Sequence, residues 1–344
     1  MRVAFDATSL IGRRTGIGNC AAELLAALPR PGLDMIAFAV SARGGGSLRS
    51  ALPAGVTGIT APMAARPLRA MWRRADHPSI ERWTGSVDVV HGPNFVVPPS
   101  RRGAEIVTVH DLTCIHHPEM CTADTLQIPA LLRRAIARGA WVHAVSRSVA
   151  AEVIEVFDID DSRVVVIPNG TAPMVDEVTV QSLRPRGRAI AGAERYLLSL
   201  GTLEPRKDIP SLVAAFDHIA GREPELRLVI AGPDGWGAER VTEAIHRSPN
   251  RSRILRTGWV DDADRDALIA GAEVFVYPSI YEGFGLPPLE AIALGTPVVA
   301  TRVGALPEVL GDAAAWAGPG DAEALAAAIL GVLGDPALAT ELLE

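Results

Sequence analysis

The sequence predicts an α/β protein made of two consecutive doubly wound domains, each a parallel sheet covered by helices on both faces. Three observations carry this. Short apolar runs rich in β-branched residues alternate with longer helical patterns, as parallel sheets buried on both faces require. The alternation stops once, near residue 170, and then restarts. A length of 344 residues suits roughly two domains, each able to bury its own core.

In the first half the strand-like runs are RVAFDA, MIAFAV, VDVVH, EIVTVH, WVHAV and VVVIP. Each ends in polar or glycine-containing residues where the chain would leave a sheet. Helical patterns such as NCAAELLAALP and ADTLQIPALLRRAIARG lie between them. After Asn169-Gly170 the periodicity fails, and the Pro-, Arg- and Gly-containing stretch that follows reads as a linker. The second series is YLLSL, LRLVIAG, RILRTG, EVFVYPS and PVVAT. The expected organisation is an N-terminal domain over 1–172, a linker over 173–194 and a C-terminal domain over 195–344. Ligands of such folds meet the carboxyl ends of the strands, so the cleft between the domains is the expected site.

Composition narrows the function. The net charge is -7 and no basic run exceeds two residues, so no nucleic-acid partner is expected. The N-terminal MRVAFDATSL lacks the apolar core and cleavage site of a signal peptide, and no apolar segment approaches the roughly 18 residues that span a bilayer. Cys20, Cys114 and Cys121 form no disulfide framework, which points to a cytoplasmic location. CIHHPEMC, residues 114–121, has neither of the usual zinc spacings, and Pro118 prevents one helix from aligning its ligands, so no metal site is expected. The acidic stretches Asp158-Ile159-Asp160-Asp161 and Asp261-Asp262 read as helix ends and turns, not as metal ligands.

Four segments carry candidate chemistry. In YEGFGLPPLEAIALGTPVVAT, residues 281–301, Pro287 and Pro288 mark a helix start and Gly295 its stop. The Gly283-Phe284-Gly285 loop and Leu286 can then aim backbone N–H groups at an anion on that helix N-terminus. Glu282 and Glu290 flank this cradle, which suits a ligand with phosphates in the middle and sugars at both ends. Taken singly, Glu282 reads as a solvated loop acid and Glu290 as a complement to the helix dipole. In LSLGTLEPRKDIPSL a strand ends at Gly201, and Arg206 and Lys207 offer a fork and a point charge to phosphate oxygens. Lys207 is the only lysine in a chain that otherwise uses arginine. Arginine serves solvated surfaces equally well, so a lone lysine argues against a surface role. In RRTGIGN, residues 13–19, Gly16, Ile17 and Gly18 precede a helix and formally match a dinucleotide fingerprint. That reading favours an NAD(P)-dependent oxidoreductase, but eight residues separate Ala7 from Gly16 and the second strand ends in AVSAR, without the acid that would hold a ribose. In TVHDL, His110 at a strand's carboxyl end can hydrogen-bond a substrate hydroxyl or stabilise developing charge.

Residues 282–290, taken with 201–207, resemble the retaining GT-B glycosyltransferases of family 4, also called glycosyltransferase group 1, and in particular bacterial mannosyltransferase-like members. EGFGLPPLEAIALGTPVVAT is similar to that family's paired-glutamate signature and GTLEPRKD to its diphosphate loop; VIPNG, VIAGPDG and TGIGN are similar to further landmarks. The resemblance implies two Rossmann-like domains and a hexosyltransferase whose donor is a GDP- or UDP-linked mannose or glucose, used without metal or cofactor in polysaccharide biosynthesis. It gives Glu290 the ribose hydroxyls, Glu282 the sugar hydroxyls, and Arg206 and Lys207 the diphosphate, beside Gly201. Gly283 to Leu286 would meet phosphates and sugar through amides, Gly16 to Gly18 would close over the donor, and His110 would face the reacting carbon. On this reading alanine at 207 is expected to cut transfer by orders of magnitude and leave the fold intact.

The chain departs from the family in two places. Thr202 stands where many members carry an arginine, so Arg206 is expected to supply that charge. The chain stops at ATELLE, so the terminal helix that crosses back to the N-terminal domain is expected to be missing. The acceptor is a glycan, lipid-linked or small-molecule hydroxyl. RPLRAMWRRA, residues 66–75, reads either as a helix docking on the inner face of an anionic membrane or as an ordinary surface helix with its apolar side in the core. A nucleotide-sugar-binding or epimerase-type protein on the same scaffold is the remaining alternative.

Overall fold

The computed structural model describes residues 1–12, 16–41, 45–171 and 173–344. The chain divides into two compact units, Met1–Asn169 and Gly170–Glu344.

The first unit holds a seven-stranded sheet of β1 (Arg2–Asp6), β2 (Asp34–Val40), β3 (Val56–Ala61), β4 (Val89–Gly92), β5 (Ala104–Val109), β6 (Trp141–Ala144) and β7 (Val164–Val166). All pairings are parallel, in the order β3-β2-β1-β4-β5-β6-β7. Phe5, Phe38, Val90, Val107 and Val142 are fully buried, as expected for strands covered on both faces. The second unit holds β8 (Tyr196–Leu200), β9 (Arg227–Ala231), β10 (Ile254–Gly258), β11 (Val274–Tyr277), β12 (Val298–Thr301) and β13 (Ala315–Ala317). These strands are also all parallel, in the order β10-β9-β8-β11-β12-β13. The strand order reverses between β1 and β4 in one sheet and between β8 and β11 in the other. At such a reversal the loops leaving the carboxyl ends diverge and open a crevice.

Two edge strands escaped the sequence reading. β3 alternates polar and apolar residues around Gly58, because its outer side is half exposed. β13 has three residues, too few for a periodic signal.

The linker expected over 173–194 is corrected. Helix Glu177–Ala191 occupies most of it, capped by the Asp176 carboxylate, which accepts from Thr179 N at 2.9 Å, and ended by Gly192 at φ +60. Pro185 inside it weakens the helical pattern. The helix buries Val180, Gly187 and Ala191 and packs on helix Asp262–Gly271, reinforced by the Arg186–Asp264 ion pair at 2.6 Å. The second unit therefore begins at Gly170 and not at residue 195. Residues 66–75 follow the surface-helix reading. Helix Ala65–Trp72 buries Leu68 and Trp72, and Trp72 Nε1 donates to Pro78 O at 2.9 Å; Met71 stays 39% exposed. Among the described residues no helix is long and apolar enough to cross a membrane.

A Cβ at Gly187 would stand 2.0 Å from the Ala267 carbonyl oxygen. Gly187→Ala is expected to push the two helices apart and cost about 2 kcal/mol, read as a lower urea midpoint with unchanged slope.

Candidate active site

In the second unit β8 and β11 lie side by side, with Leu197 opposite Val274 and Leu198 opposite Phe275, on the two sides of the reversal in strand order. The loop after β8 turns at Gly201, runs through the 3-10 turn Pro205–Lys207, and enters helix Ile209–Ile219 with Pro210 in its first turn. Leu203 N donates to Pro233 O at 3.1 Å and Gly237 N to Leu203 O at 2.9 Å, so the Pro233–Gly237 loop clamps this segment from behind. The loop after β11 is joined to it where Ile280 N donates to Arg206 O at 2.8 Å. This pairing brings EPRKD and YEGFG together.

A buried charge cluster sits at the junction. Lys207, only 9% exposed, donates from Nζ to Glu282 Oε1 at 2.6 Å and to the Tyr277 hydroxyl. Arg206 Nη1 lies 2.7 Å from the same Oε1, while Arg206 Nε donates to Glu204 Oε2 at 2.9 Å. Ser279 Oγ also donates to Glu282 Oε1, at 2.8 Å. The loop reading of Glu282 as a solvated acid is overturned, since this side chain is buried and held by three donors. Burial alone would raise the Glu282 pKa, but the Arg206 and Lys207 charges overcome it and hold the carboxyl at about 2. Burial and the neighbouring Arg206 lower the Lys207 pKa, with Glu282 opposing both. Burial pushes the Tyr277 phenol well above its ordinary range, and the Glu282 charge adds to the shift, so the phenol stays protonated.

Beside the cluster, Gly285 at φ +101 caps helix Leu286–Ala293, whose second and third residues are Pro287 and Pro288. A Cβ at Gly285 would stand 2.4 Å from Leu306 Cδ2, so the turn requires glycine for space as well as for its backbone angle. The N–H groups of Phe284, Gly285 and Leu286 donate no hydrogen bond among the described residues. Three amide donors at a helix N-terminus are an anion site. Ala305 N donates to Glu282 O at 2.9 Å and braces the loop from the other side.

Glu290 is the fifth residue of that helix, just past its first turn, so dipole complementarity explains it poorly. Burial raises its pKa; Arg265 opposes this, and Asp266 and Asp262 add to it. No hydrogen bond or ion pair joins Glu290 to the Lys207 cluster among the described residues.

In the first unit His110 follows β5 directly. Its Nε2 lies 2.8 Å from Pro93 O, so Nε2 carries the hydrogen and Nδ1 is the acceptor. Burial lowers its pKa, with the Pro93 carbonyl opposing, and the ring stays neutral near pH 7. A neutral ring accepts a hydroxyl hydrogen bond; it does not stabilise developing negative charge as a cation. Gly16, Ile17 and Gly18, expected in a loop before a helix, form the first turn of helix Gly16–Ala27; residues 13–15 of that motif lie outside the described residues. CIHHPEMC is split between helix Thr113–His116 and the 3-10 turn Pro118–Met120. No group of three His, Cys, Asp or Glu side chains suited to a metal ion occurs among the described residues.

Two profiles cover most of the chain: glycosyl transferases group 1 over residues 183–344, and glycosyltransferase family 4 over residues 14–173. The Escherichia coli O-antigen chain mannosyltransferase B is 32% identical over 289 residues, covering 80% of this chain and 71% of that protein. The chain belongs to glycosyltransferase family 4. It is a hexosyltransferase. The serotype-specific mannosyltransferase WbdA of Escherichia coli is 33% identical over 58% of this chain, which matches only 25% of that much longer protein. Among solved structures, HepE of Anabaena in complex with UDP and glucose superposes with a TM-score of 0.73 at 20% identity, covering 100% of this chain and 92% of that one. This likeness shows the shared GT-B fold.

Arg206, Lys207, Glu282 and the Gly283–Leu286 loop, which the sequence grouped, lie together in the structure, with Gly201 beside the lysine stem. Sequence reasoning missed the direct Lys207–Glu282 contact, and with it Tyr277 and Ser279. The only available signal was YPS just ahead of the EGFG run. It also missed a polar row across the first sheet: His91 Nε2 lies 2.8 Å from Thr108 Oγ1, which lies 3.0 Å from His143 Nδ1, and His143 Nε2 lies 2.8 Å from Ile167 O. That carbonyl fixes every hydrogen in the row, and burial, with the neighbouring histidines, takes His91 down to about 4.

The expectation that alanine at 207 leaves the fold intact is corrected by this burial. Lys207→Ala leaves Glu282 with one cation fewer and is expected to destabilise by about 3 kcal/mol, measured by urea unfolding. The depressed Glu282 pKa contributes stability that is complete above its ordinary 4.5 and is lost as pH falls toward about 2. Glu282→Gln is expected to flatten the pH dependence of the unfolding free energy in that window.

Proposed function

We propose that this hexosyltransferase is retaining and metal-independent, and that it moves a mannose- or glucose-type unit from a GDP- or UDP-linked sugar to a hydroxyl of a glycan, lipid-linked or small-molecule acceptor. The observation that carries the proposal is the buried Arg206–Lys207–Glu282 cluster beside three unpaired amide donors at the crevice between β8 and β11. A nucleoside diphosphate leaving group gains negative charge as the glycosidic bond breaks, and fixed cations and amides stabilise that charge without reorganising. The names of the mannosyltransferase relatives support mannose as the sugar, and the UDP complex of HepE supports a nucleotide donor.

In the proposed step the bond from the anomeric carbon to the β-phosphate oxygen breaks, and its electron pair stays on the phosphate. The acceptor oxygen bonds to the anomeric carbon on the same face and passes its proton to the departing phosphate. Glu290 takes the ribose hydroxyls, Glu282 a sugar hydroxyl, and neutral His110 a hydroxyl hydrogen through Nδ1. Arg206 supplies the charge that Thr202 does not. An NAD(P)-dependent oxidoreductase is disfavoured: a 3-10 turn and further residues separate β1 from Gly16, and no acid ends β2.

The assay is transfer with and without chelator, with product configuration read by proton NMR. Unchanged turnover in chelator and a product that keeps the donor's anomeric configuration are expected; inversion, or loss of turnover restored by a divalent cation, sinks the proposal. In a thermal-shift panel of GDP-, UDP- and ADP-sugars, one or more GDP- or UDP-linked sugars should raise Tm while NAD(H) does not.

A further inference from the structure

We propose that Tyr277 is a positioning residue for glycosyl transfer: its hydroxyl and Glu282 hold two of the three Lys207 N–H donors, leaving the third for the donor's diphosphate. The inference rests on the reading that Lys207 meets that diphosphate. An ammonium has three donors and no acceptor, so the Tyr277 oxygen must accept from Nζ. Lys207 thus joins the phenol to the carboxylate. Tyr277 is a rigid anchor for Lys207: the residue ends β11, pairs in register with Ala300 of β12, is 2% exposed and stacks on Phe275 at 6.2 Å. Glu282, by contrast, sits on a loop.

The same geometry accounts for the single lysine. Its stem passes the Gly201 turn, where a Cβ at 201 would stand 3.7 Å from Lys207 Cε. A cavity lined by Ser199, Gly201, Lys207, Tyr277 and Pro278 measures about 10 Å³, room for one water at most. A planar guanidinium has no space there. Without the Tyr277 anchor, Lys207 has no second fixed partner and is free to rotate its donors onto the two carboxylate oxygens of Glu282. The ammonium would then be neutralised by Glu282 and lost to a phosphate.

The chain's only lysine allows a direct test, because ¹⁵N-lysine labelling gives one ammonium signal. Wild type, Tyr277→Phe and Lys207→Met are titrated with GDP and UDP by calorimetry from about pH 7 to about pH 10, and the Lys207 resonance is followed over the same range. Phenylalanine keeps the ring and removes one acceptor of the charged lysine, so the Lys207 pKa should fall. Diphosphate affinity should drop about tenfold near pH 7, and its alkaline loss should set in at lower pH, whereas a merely structural role moves only Tm. If Tyr277→Phe does not fold, 3-fluorotyrosine in the wild-type chain keeps the shape, weakens the phenol oxygen as an acceptor and should shift the Lys207 resonance the same way. A Lys207 pKa and a diphosphate affinity unmoved by either change, while Lys207→Met loses affinity, overturn the role of Tyr277. Wild-type diphosphate affinity in Lys207→Met removes the reading on which it rests.

Discussion

The second unit is organised around one constraint: a lysine and an arginine, adjacent in sequence, must be neutralised where water barely reaches. Burying an ammonium costs several kcal/mol unless its partners are close and its hydrogens satisfied. Glu282 meets that cost for Lys207 at 2.6 Å and for Arg206 at 2.7 Å through a single oxygen, and Ser279 donates to the same atom. Glu204 accepts from Arg206 Nε at 2.9 Å. The two loops cannot separate without exposing this shared carboxylate, so the charges are also the cross-link that sets the shape of the crevice.

Much of the surrounding backbone serves to bring these loops close. A Cβ at Gly232 would stand 2.0 Å from Gly201 O, one at Gly235 2.7 Å from Leu203 O, and one at Gly304 2.1 Å from Glu282 O. The glycines in AGPDG and TRVGA are therefore spacers that let the segments after β9 and β12 lie against the two loops carrying charge. Strand order supplies the rest. β8 and β11 are distant in sequence but neighbours in the sheet, and their carboxyl ends deliver Lys207 and Glu282 to one point.

In the first unit the carboxyl edge of the sheet carries a row of polar side chains on β4, β5 and β6. His91, Thr108 and His143 pass one hydrogen-bond direction along β4, β5 and β6 to the Ile167 carbonyl. His110 is tied separately to Pro93 and set edge-on to Phe95, with ring centroids 5.5 Å apart. Burial keeps these imidazoles neutral near pH 7, so they offer acceptors and donors without charge, whereas Arg206 and Lys207 lie in the other unit.

The sequence by itself determined the α/β class, most strands, the helix starts at Ile209 and near Pro287, and the residue types of the EPRKD and YEGFG loops, because periodicity, proline and glycine act locally. It failed where local signals were weak or contradicted. Pro185 hid helix Glu177–Ala191, and short or half-exposed edge strands left too few apolar positions to read. Only the tertiary structure decided that Lys207, Glu282 and Tyr277 touch. That contact joins positions 70 and 75 residues apart, and nothing local encodes it. It arises because β8 and β11 pair across the reversal of strand order, and because an ammonium that leaves water must find a carboxylate there.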